Sequence, residues 1–105
     1  MKELKELQDI LVQHKNALKR KYNVKEIAIF GSFVRGQQKK TSDIDILVEF
    51  GKPIGFFKFL ELEEHLSKLL GAKVDLVSKK ALKPYIGQHI LKEMVSVWKE
   101  IIGIT

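Results

Sequence analysis

Two aspartates, Asp43 and Asp45, stand at alternate positions in the segment DIDILVEF (43–50), which otherwise has the composition of a buried strand. Side chains two apart on a strand share a face, and a rise of about 3.3 Å per residue places these two about 7 Å apart. Two partly desolvated carboxylates this close are unfavourable unless one is protonated or a cation neutralises them. Such oxygen ligands suit magnesium or manganese, which complete their shells with water and phosphate oxygens. The pair therefore predicts a nucleotide-metal site.

A third aspartate and a glycine-serine turn are placed to complete this site. Asp75, in KVDLVS (73–78), has the strand phase to add its carboxylate if its strand lies beside that of Asp45. Three carboxylates around two metal ions can lower the pKa of a bound hydroxyl and neutralise a leaving phosphate, and Asp75 is the candidate for facing that hydroxyl. Gly31 lets the backbone approach a phosphate, and Ser32 offers its hydroxyl and amide at the start of the next helix.

Two further residues are candidates for nucleotide contacts, and each has a plainer alternative. Arg35 lies one turn into the helix after the glycine-serine turn, where it could reach phosphate or form an ion pair with Asp43. Ser42 could orient Asp43 by hydrogen bonding, or serve only as a turn residue. Plainer alternatives also exist for the main candidates, because Asp-x-Asp occurs at solvated edges and a serine after a strand often caps a helix. The combination is more specific than any of its parts.

Hydrophobic periodicity predicts the elements that position these residues. Asn23 is expected to end the first helix in the left-handed conformation, and Trp98 is expected in the core, as are three phenylalanines near the start of the helix over 56–70. The segment after residue 80 is compatible with a helix and with a closing strand. The predicted elements are a helix over 3–21, an interior strand over 24–30, a short helix capped by Ser32 and ended by Gly36, a strand over 43–50, a helix over 56–70 and a strand over 73–78.

Composition indicates the broad class of protein. A chain of 105 residues with 45% hydrophobic and 30% charged residues predicts one globular domain over 1–105, with a catalytic core at about 24–98. The absence of cysteine makes a reducing cytosol the simplest compartment, and no apolar run is long enough for a signal peptide or a membrane span. The net charge of +6 favours anionic partners, although scattered lysines are also typical of a solvated surface.

The order and spacing of GSFVRG (31–36), SDIDILVEF (42–50) and KVDLVS (73–78) resemble the nucleotidyltransferase superfamily related to DNA polymerase beta. Within it, the chain resembles the minimal nucleotidyltransferase (MNT) family, the antitoxin partners of HEPN toxins, over residues 20–98. The resemblance implies an α+β, two-layer nucleotidyltransferase fold, with a small mixed β-sheet flanked by helices. It also implies ATP as substrate, magnesium as cofactor and transfer of AMP to a hydroxyl.

Mapped onto this sequence, the family motif implies a role for each candidate residue. Gly31 and Ser32 would hold the triphosphate, with Arg35 and Ser42 as further nucleotide-binding residues. The metal ligands and catalytic residues would be Asp43 and Asp45, which hold both metals, and Asp75, which holds the metal nearest the acceptor.

The acceptor that the resemblance implies is a tyrosine hydroxyl of a HEPN-domain toxin, in a type VII-like toxin-antitoxin module. Two alternatives stay open: an enzyme that modifies RNA or a small molecule such as an aminoglycoside, and a non-catalytic antitoxin that acts by binding. A chain this short has no second domain to grip the base, so a partner or a second copy is expected to complete the site. Val97, Trp98, Ile101 and Ile102 could form such an interface or could pack in the chain's own core.

Overall fold

The computed structural model describes residues 2–82 and 84–98. Five helices and four strands alternate irregularly along this part of the chain, and a short 3-10 turn at Lys79–Ala81 follows the third strand. The elements are α1 (Leu4–Gln13), α2 (Lys15–Tyr22), β1 (Val24–Phe30), α3 (Ser32–Arg35), β2 (Ile44–Phe50), α4 (Phe56–Leu70), β3 (Val74–Ser78), α5 (Pro84–Glu93) and β4 (Val95–Trp98).

The four strands form one mixed sheet in the order β3-β2-β1-β4. β1 is antiparallel to both of its neighbours, β2 and β4, so the prediction that it is an interior strand is confirmed. β2 and β3 are parallel, and α4 supplies the crossover connection that a parallel pair requires. The predicted α+β fold with a small mixed sheet and flanking helices is confirmed.

Helices α1, α2 and α4 contact one another, and their leucines share a hydrophobic core with alternate residues of the sheet. On β2 the buried face carries Ile44, Ile46 and Val48, whereas Asp45 and Glu49 point to the other face. Because burying one apolar face fixes which side chains turn outward, the core determines which face of the sheet displays the carboxylates. The fully buried helix residues in the described part of the chain include Leu7, Leu11, Leu18, Tyr22, Leu62, Leu66 and Leu70.

The prediction of one continuous helix over 3–21 is wrong at His14. This residue has φ −100° and ψ 9°, so α1 ends before it and α2 begins after it. Its side-chain Nδ1 lies 2.9 Å from the carbonyl oxygen of Ile10, and a side chain that binds the backbone locally competes with regular helix geometry. Apolar spacing is preserved across the break, which is why periodicity alone did not indicate it. Asn23 ends α2 with φ 56°, as predicted.

The C-terminal part of the described chain contains both elements that its sequence allowed. α5 is followed after one residue by β4, which pairs with β1. Trp98 is only 6% exposed and belongs to the core, so the prediction that it is a core residue is confirmed, and Val97 packs against the same cluster. Ile101 and Ile102, which were considered for an interface, lie outside the described residues.

The prediction that the phenylalanines of α4 are core residues is wrong for two of the three. Phe56 and Phe57 are 70% and 84% exposed, with ring centroids 5.7 Å apart. Phe59 is half-buried and packs against Phe50. The buried stripe of α4 runs through its last three turns, and its first turn lies outside that stripe.

None of the helices in the described ranges is long and apolar enough to cross a membrane.

Candidate active site

The turn between β1 and α3 lies directly against β2. Gly31 has φ 80° and ψ −152°, a conformation that L side chains rarely adopt. A Cβ atom at this position would overlap Oδ2 of Asp45, whose backbone is paired in register with Phe30. Glycine is therefore required here both by the backbone angle and by the close approach of a carboxylate.

Gly31 is the N-cap of α3, because its carbonyl oxygen accepts hydrogen bonds from the amides of Val34 and Arg35 at 3.1 and 3.2 Å. Ser32 is consequently the first helical residue, and the prediction that Ser32 caps this helix is wrong. Gly36 ends the helix with φ 70°, as predicted.

Asp45 and Asp75 are direct neighbours across the parallel β2–β3 pair. Both point to the face of the sheet opposite the buried isoleucines, since they alternate with Ile44 and Ile46 on β2 and with Val74 and Leu76 on β3. Asp43 lies immediately before β2, two residues from Asp45. The structure thus brings the three predicted carboxylates and the glycine bend to one end of the sheet.

The electrostatics at this end of the sheet disfavour a charged Asp45. Burial raises the pKa of its carboxyl, and the negative charges of Asp75, Asp43 and Glu93 raise it further. The guanidinium of Arg35 opposes this by lowering the same pKa. A site whose own carboxylates repel one another gains free energy by binding a cation.

Arg35 and Asp43 do not form the ion pair that was considered for them. Nη1 of Arg35 lies 2.5 Å from Oε1 of Glu93, and its Nε donates to Oε1 of Gln37 at 3.0 Å. Asp43 is 45% exposed and instead has Nζ of Lys73 at 4.0 Å from its Oδ2. The guanidinium is consequently held at the glycine bend, close to where the sequence predicts phosphate.

In this structure Ser42 serves as a turn residue, the simpler of its two predicted roles. Its hydroxyl accepts a hydrogen bond from the amide of Lys39 at 2.8 Å, and its own amide donates to the carbonyl oxygen of Lys39 at 2.9 Å. These two bonds close the turn that leads into Asp43. A contact between Ser42 and a nucleotide remains a prediction.

Glu93, the last residue of α5, is a site residue that the sequence did not indicate. Its Oε1 accepts a hydrogen bond from the amide of Gly31 at 2.9 Å as well as the bond from Arg35. It lies 62 positions from Gly31, in a segment whose pattern was ambiguous between helix and strand, so no local signal could have identified it.

The chemistry of the donors fits magnesium, although the described residues form no ready-made metal cage. Over the described ranges, no three His, Cys, Asp or Glu side chains are arranged to hold one ion together. Magnesium commonly takes only one or two protein carboxylates and completes its shell with water and phosphate oxygens. Asp45 with either neighbour supplies such a pair, and the burial and neighbouring negative charges that raise the pKa of Asp45 would favour a bound cation. The two-ion arrangement remains a prediction.

A glycine bend against paired strand carboxylates, on a mixed sheet with one helix-covered face, is an arrangement suited to transferring a phosphate-linked group. The family model described as "Nucleotidyltransferase domain" matches residues 11–97. A Methanocaldococcus jannaschii protein is 55% identical over 98 residues, covering 92% of this chain and 100% of its own length. Protein adenylyltransferase MntA of Thermococcus cleftensis is 49% identical over 94 residues, covering 90% of this chain and 95% of its own length.

A similar fold occurs in a solved toxin-antitoxin structure with AMP-PNP, at a TM-score of 0.74 and 24% identity over 89% of this chain and 73% of that one. The chain belongs to the nucleotidyltransferase domain family. The resemblance to the minimal nucleotidyltransferases and the assignment as a nucleotidyltransferase enzyme are thereby confirmed.

Proposed function

We propose that this protein transfers AMP from Mg-ATP to a tyrosine hydroxyl of a cognate HEPN-domain toxin, and so acts as the antitoxin of a toxin-antitoxin pair. The observation that carries the proposal is the pairing of Asp45 with Asp75 beside the Gly31 bend. Two of the comparisons support the acceptor class. One relative is named a protein adenylyltransferase, and a solved complex of similar fold is described as a tri-AMPylated Shewanella oneidensis HEPN toxin with its MNT antitoxin.

Each residue has a task in this reaction that follows from its position. The backbone at Gly31, with the Ser32 hydroxyl and the Arg35 guanidinium, binds triphosphate oxygens. Asp43 and Asp45 would hold magnesium, which would neutralise the phosphate charge. The acceptor hydroxyl gives up its proton, for which Asp75 is the proposed acceptor, and its oxygen bonds to the α-phosphorus as the bond to pyrophosphate breaks.

The position of Asp75 also leaves room for a large acceptor. β3 is an edge strand of the sheet, and the Asp75 side chain is exposed. A hydroxyl on the surface of a folded protein can therefore approach this carboxylate without entering a closed cavity. RNA and small-molecule acceptors can reach the same edge, so they must be tested directly.

Label transfer tests the proposal. The wild-type chain is incubated with magnesium, ATP labelled in the α-phosphate and, in separate reactions, the purified cognate HEPN-domain protein, RNA and an aminoglycoside. We expect label on a tyrosine of the protein, and a loss of at least about a hundredfold in rate for Asp43→Asn with Asp45→Asn. Asp9→Asn is the matched control, because Asp9 forms only an exposed ion pair with Lys5 on α1.

Two outcomes would contradict parts of the proposal. Label found only in RNA or in the drug would mean that this molecule, and not the toxin, is the acceptor. A doubly substituted chain that transfers no label yet still neutralises the toxin would show that binding, and not AMP transfer, is the antitoxin activity.

A further inference from the structure

The carboxylate of Glu93 occupies the groups that a nucleotide phosphate is expected to use. Its Oε1 receives the Gly31 amide at 2.9 Å and the Arg35 guanidinium at 2.5 Å, so one oxygen accepts both bonds. The side chain is 25% exposed and thus largely enclosed at the bend. A carboxylate that accepts bonds from a backbone amide and from a guanidinium satisfies the same donors as a phosphate oxygen does.

The ion pair between Glu93 and Arg35 changes the balance of charge at the site. Glu93 pairs with the guanidinium of Arg35, whose positive charge also lowers the pKa of Asp45. Glu93 also adds a fourth negative charge to the three aspartates, because it is among the groups that disfavour ionised Asp45. An incoming triphosphate needs the same amide and the same guanidinium, and it is repelled by a carboxylate that still holds them.

We propose that Glu93 is a displaceable occupant of the triphosphate site: nucleotide binding removes its carboxylate from Gly31 and Arg35 and thereby frees the C-terminal end of α5. This rests on the proposed function in taking the ligand to be ATP. Glu93 is the last residue of α5, and Met94 is the one residue between α5 and β4. Since β4 is held by its pairing with β1, the change falls on the last turn of α5 and not on the sheet.

Binding measurements test the displacement without relying on turnover. Glu93→Gln keeps the size of the side chain and a carbonyl acceptor for Gly31, but it removes the charge that competes with phosphate. We expect titration calorimetry with Mg-ATP to give a Kd about three- to tenfold lower for Glu93→Gln than for wild type, the range of one modest charge interaction. Glu64→Gln, which removes a carboxylate from an exposed pair on α4, should leave the Kd unchanged.

A second measurement reports the movement itself. Hydrogen exchange in the last turn of α5 should become faster in the wild-type chain when Mg-ATP is added, because the anchoring bonds of Glu93 are lost. In Glu93→Ala the same amides should exchange rapidly with and without nucleotide. This variant also separates displacement from folding, provided its unfolding midpoint shows that it is folded.

The possible results distinguish this inference from the proposed function. Unchanged or weaker ATP binding by a folded Glu93→Gln chain would overturn the displacement while leaving AMP transfer intact. Slower exchange of the last turn of α5 with nucleotide would overturn it as well. Failure of the wild-type chain to bind ATP would overturn both proposals.

Discussion

Gly31 combines an unusual backbone conformation with a close contact, and a comparison with Gly36 measures their joint cost. Both Gly31 and Gly36 have positive φ, 80° and 70°, but a Cβ at Gly36 meets no described atom within 4 Å, whereas a Cβ at Gly31 meets the carboxylate of Asp45. Gly36→Ala should therefore cost about 1 kcal/mol of unfolding free energy, from backbone strain alone. Gly31→Ala should cost about 1 to 3 kcal/mol more, because its ψ of −152° takes it out of the left-handed region that Gly36 occupies and because the carboxylate must also shift.

Chemical denaturation of the two variants measures this difference. AMP transfer should fall much further in Gly31→Ala than in Gly36→Ala, because the shift at Gly31 displaces a predicted metal ligand. Equal losses of stability in the two variants would show that neither the backbone conformation of Gly31 nor its contact with Asp45 adds a cost.

Asp45 leads to a pH prediction whose sign follows from its raised pKa. A carboxyl whose pKa is higher in the folded state than in the unfolded chain favours folding while protonated, and that contribution is lost as pH rises through the folded-state pKa. At neutral pH, Asp45→Asn should therefore raise the unfolding midpoint of the metal-free protein. The gain should shrink as pH falls toward the ordinary aspartate value of 3.8.

Thermal unfolding in the presence of a chelator, compared across pH with the Asp9→Asn control, measures this effect. Added magnesium should stabilise the wild-type chain more than Asp45→Asn, since only the former offers the full carboxylate set. A lower neutral-pH midpoint for Asp45→Asn without metal would mean that its charge is already compensated.

At the scale of elements, side chains of α4 accept hydrogen bonds from the backbone amides on the outer edge of β3. The amide of Val74 donates to Oγ of Ser67 at 2.9 Å, and the amide of Leu76 donates to Oε2 of Glu63 at 2.9 Å. These two amides flank Asp75 and point away from β2, where an edge strand has no partner strand. Side chains of α4 therefore fix the strand that presents the third carboxylate.

Ser67→Ala should destabilise the protein by about 1 to 3 kcal/mol, because the part-buried amide of Val74 then loses its acceptor. Ser96→Ala, at an exposed position of β4, is the matched control and should change stability by less than about 0.5 kcal/mol. Denaturant titration gives both values, and hydrogen exchange at Val74 identifies the cause. If the exchange rate of that amide does not change, the helix does not protect the edge.

Much of this arrangement was predictable from local patterns, and the missing parts have physical reasons. The helix over 56–70 matches α4 because its apolar residues recur at helical spacing, and the strand over 24–30 matches β1 because it is rich in β-branched and apolar residues; glycine or asparagine bounds both. The pairing of Asp45 with Asp75 was expected from strand phase and from the helical connection between their strands. The break at His14 depends on one side-chain contact, and Glu93 is brought to the bend only by tertiary structure. Neither feature can therefore be predicted from the local sequence.

For the molecule as a whole, the exposed pair Phe56 and Phe57 should be dispensable for folding. Phe57→Ser should change the unfolding free energy by less than about 0.5 kcal/mol, because the ring is already mostly in water. Leu62→Ala, on the buried side of the same helix, should cost about 2 to 5 kcal/mol. Denaturant unfolding of both variants tests the contrast, and a large loss for Phe57→Ser would restore the core assignment made from the sequence.

The parallel register of β2 and β3 also limits how the length of this chain can vary. Gly71, Ala72 and Lys73 join α4 to β3, and this short connector must absorb any added or removed residue without moving Val74 and Leu76 out of the core or Asp75 off its face. An insertion there would be harmful although it touches neither nucleotide nor metal, whereas the loop over 51–55 before α4 has no such constraint. Natural variants should accordingly accumulate length changes in 51–55 and almost none between Gly71 and Asp75.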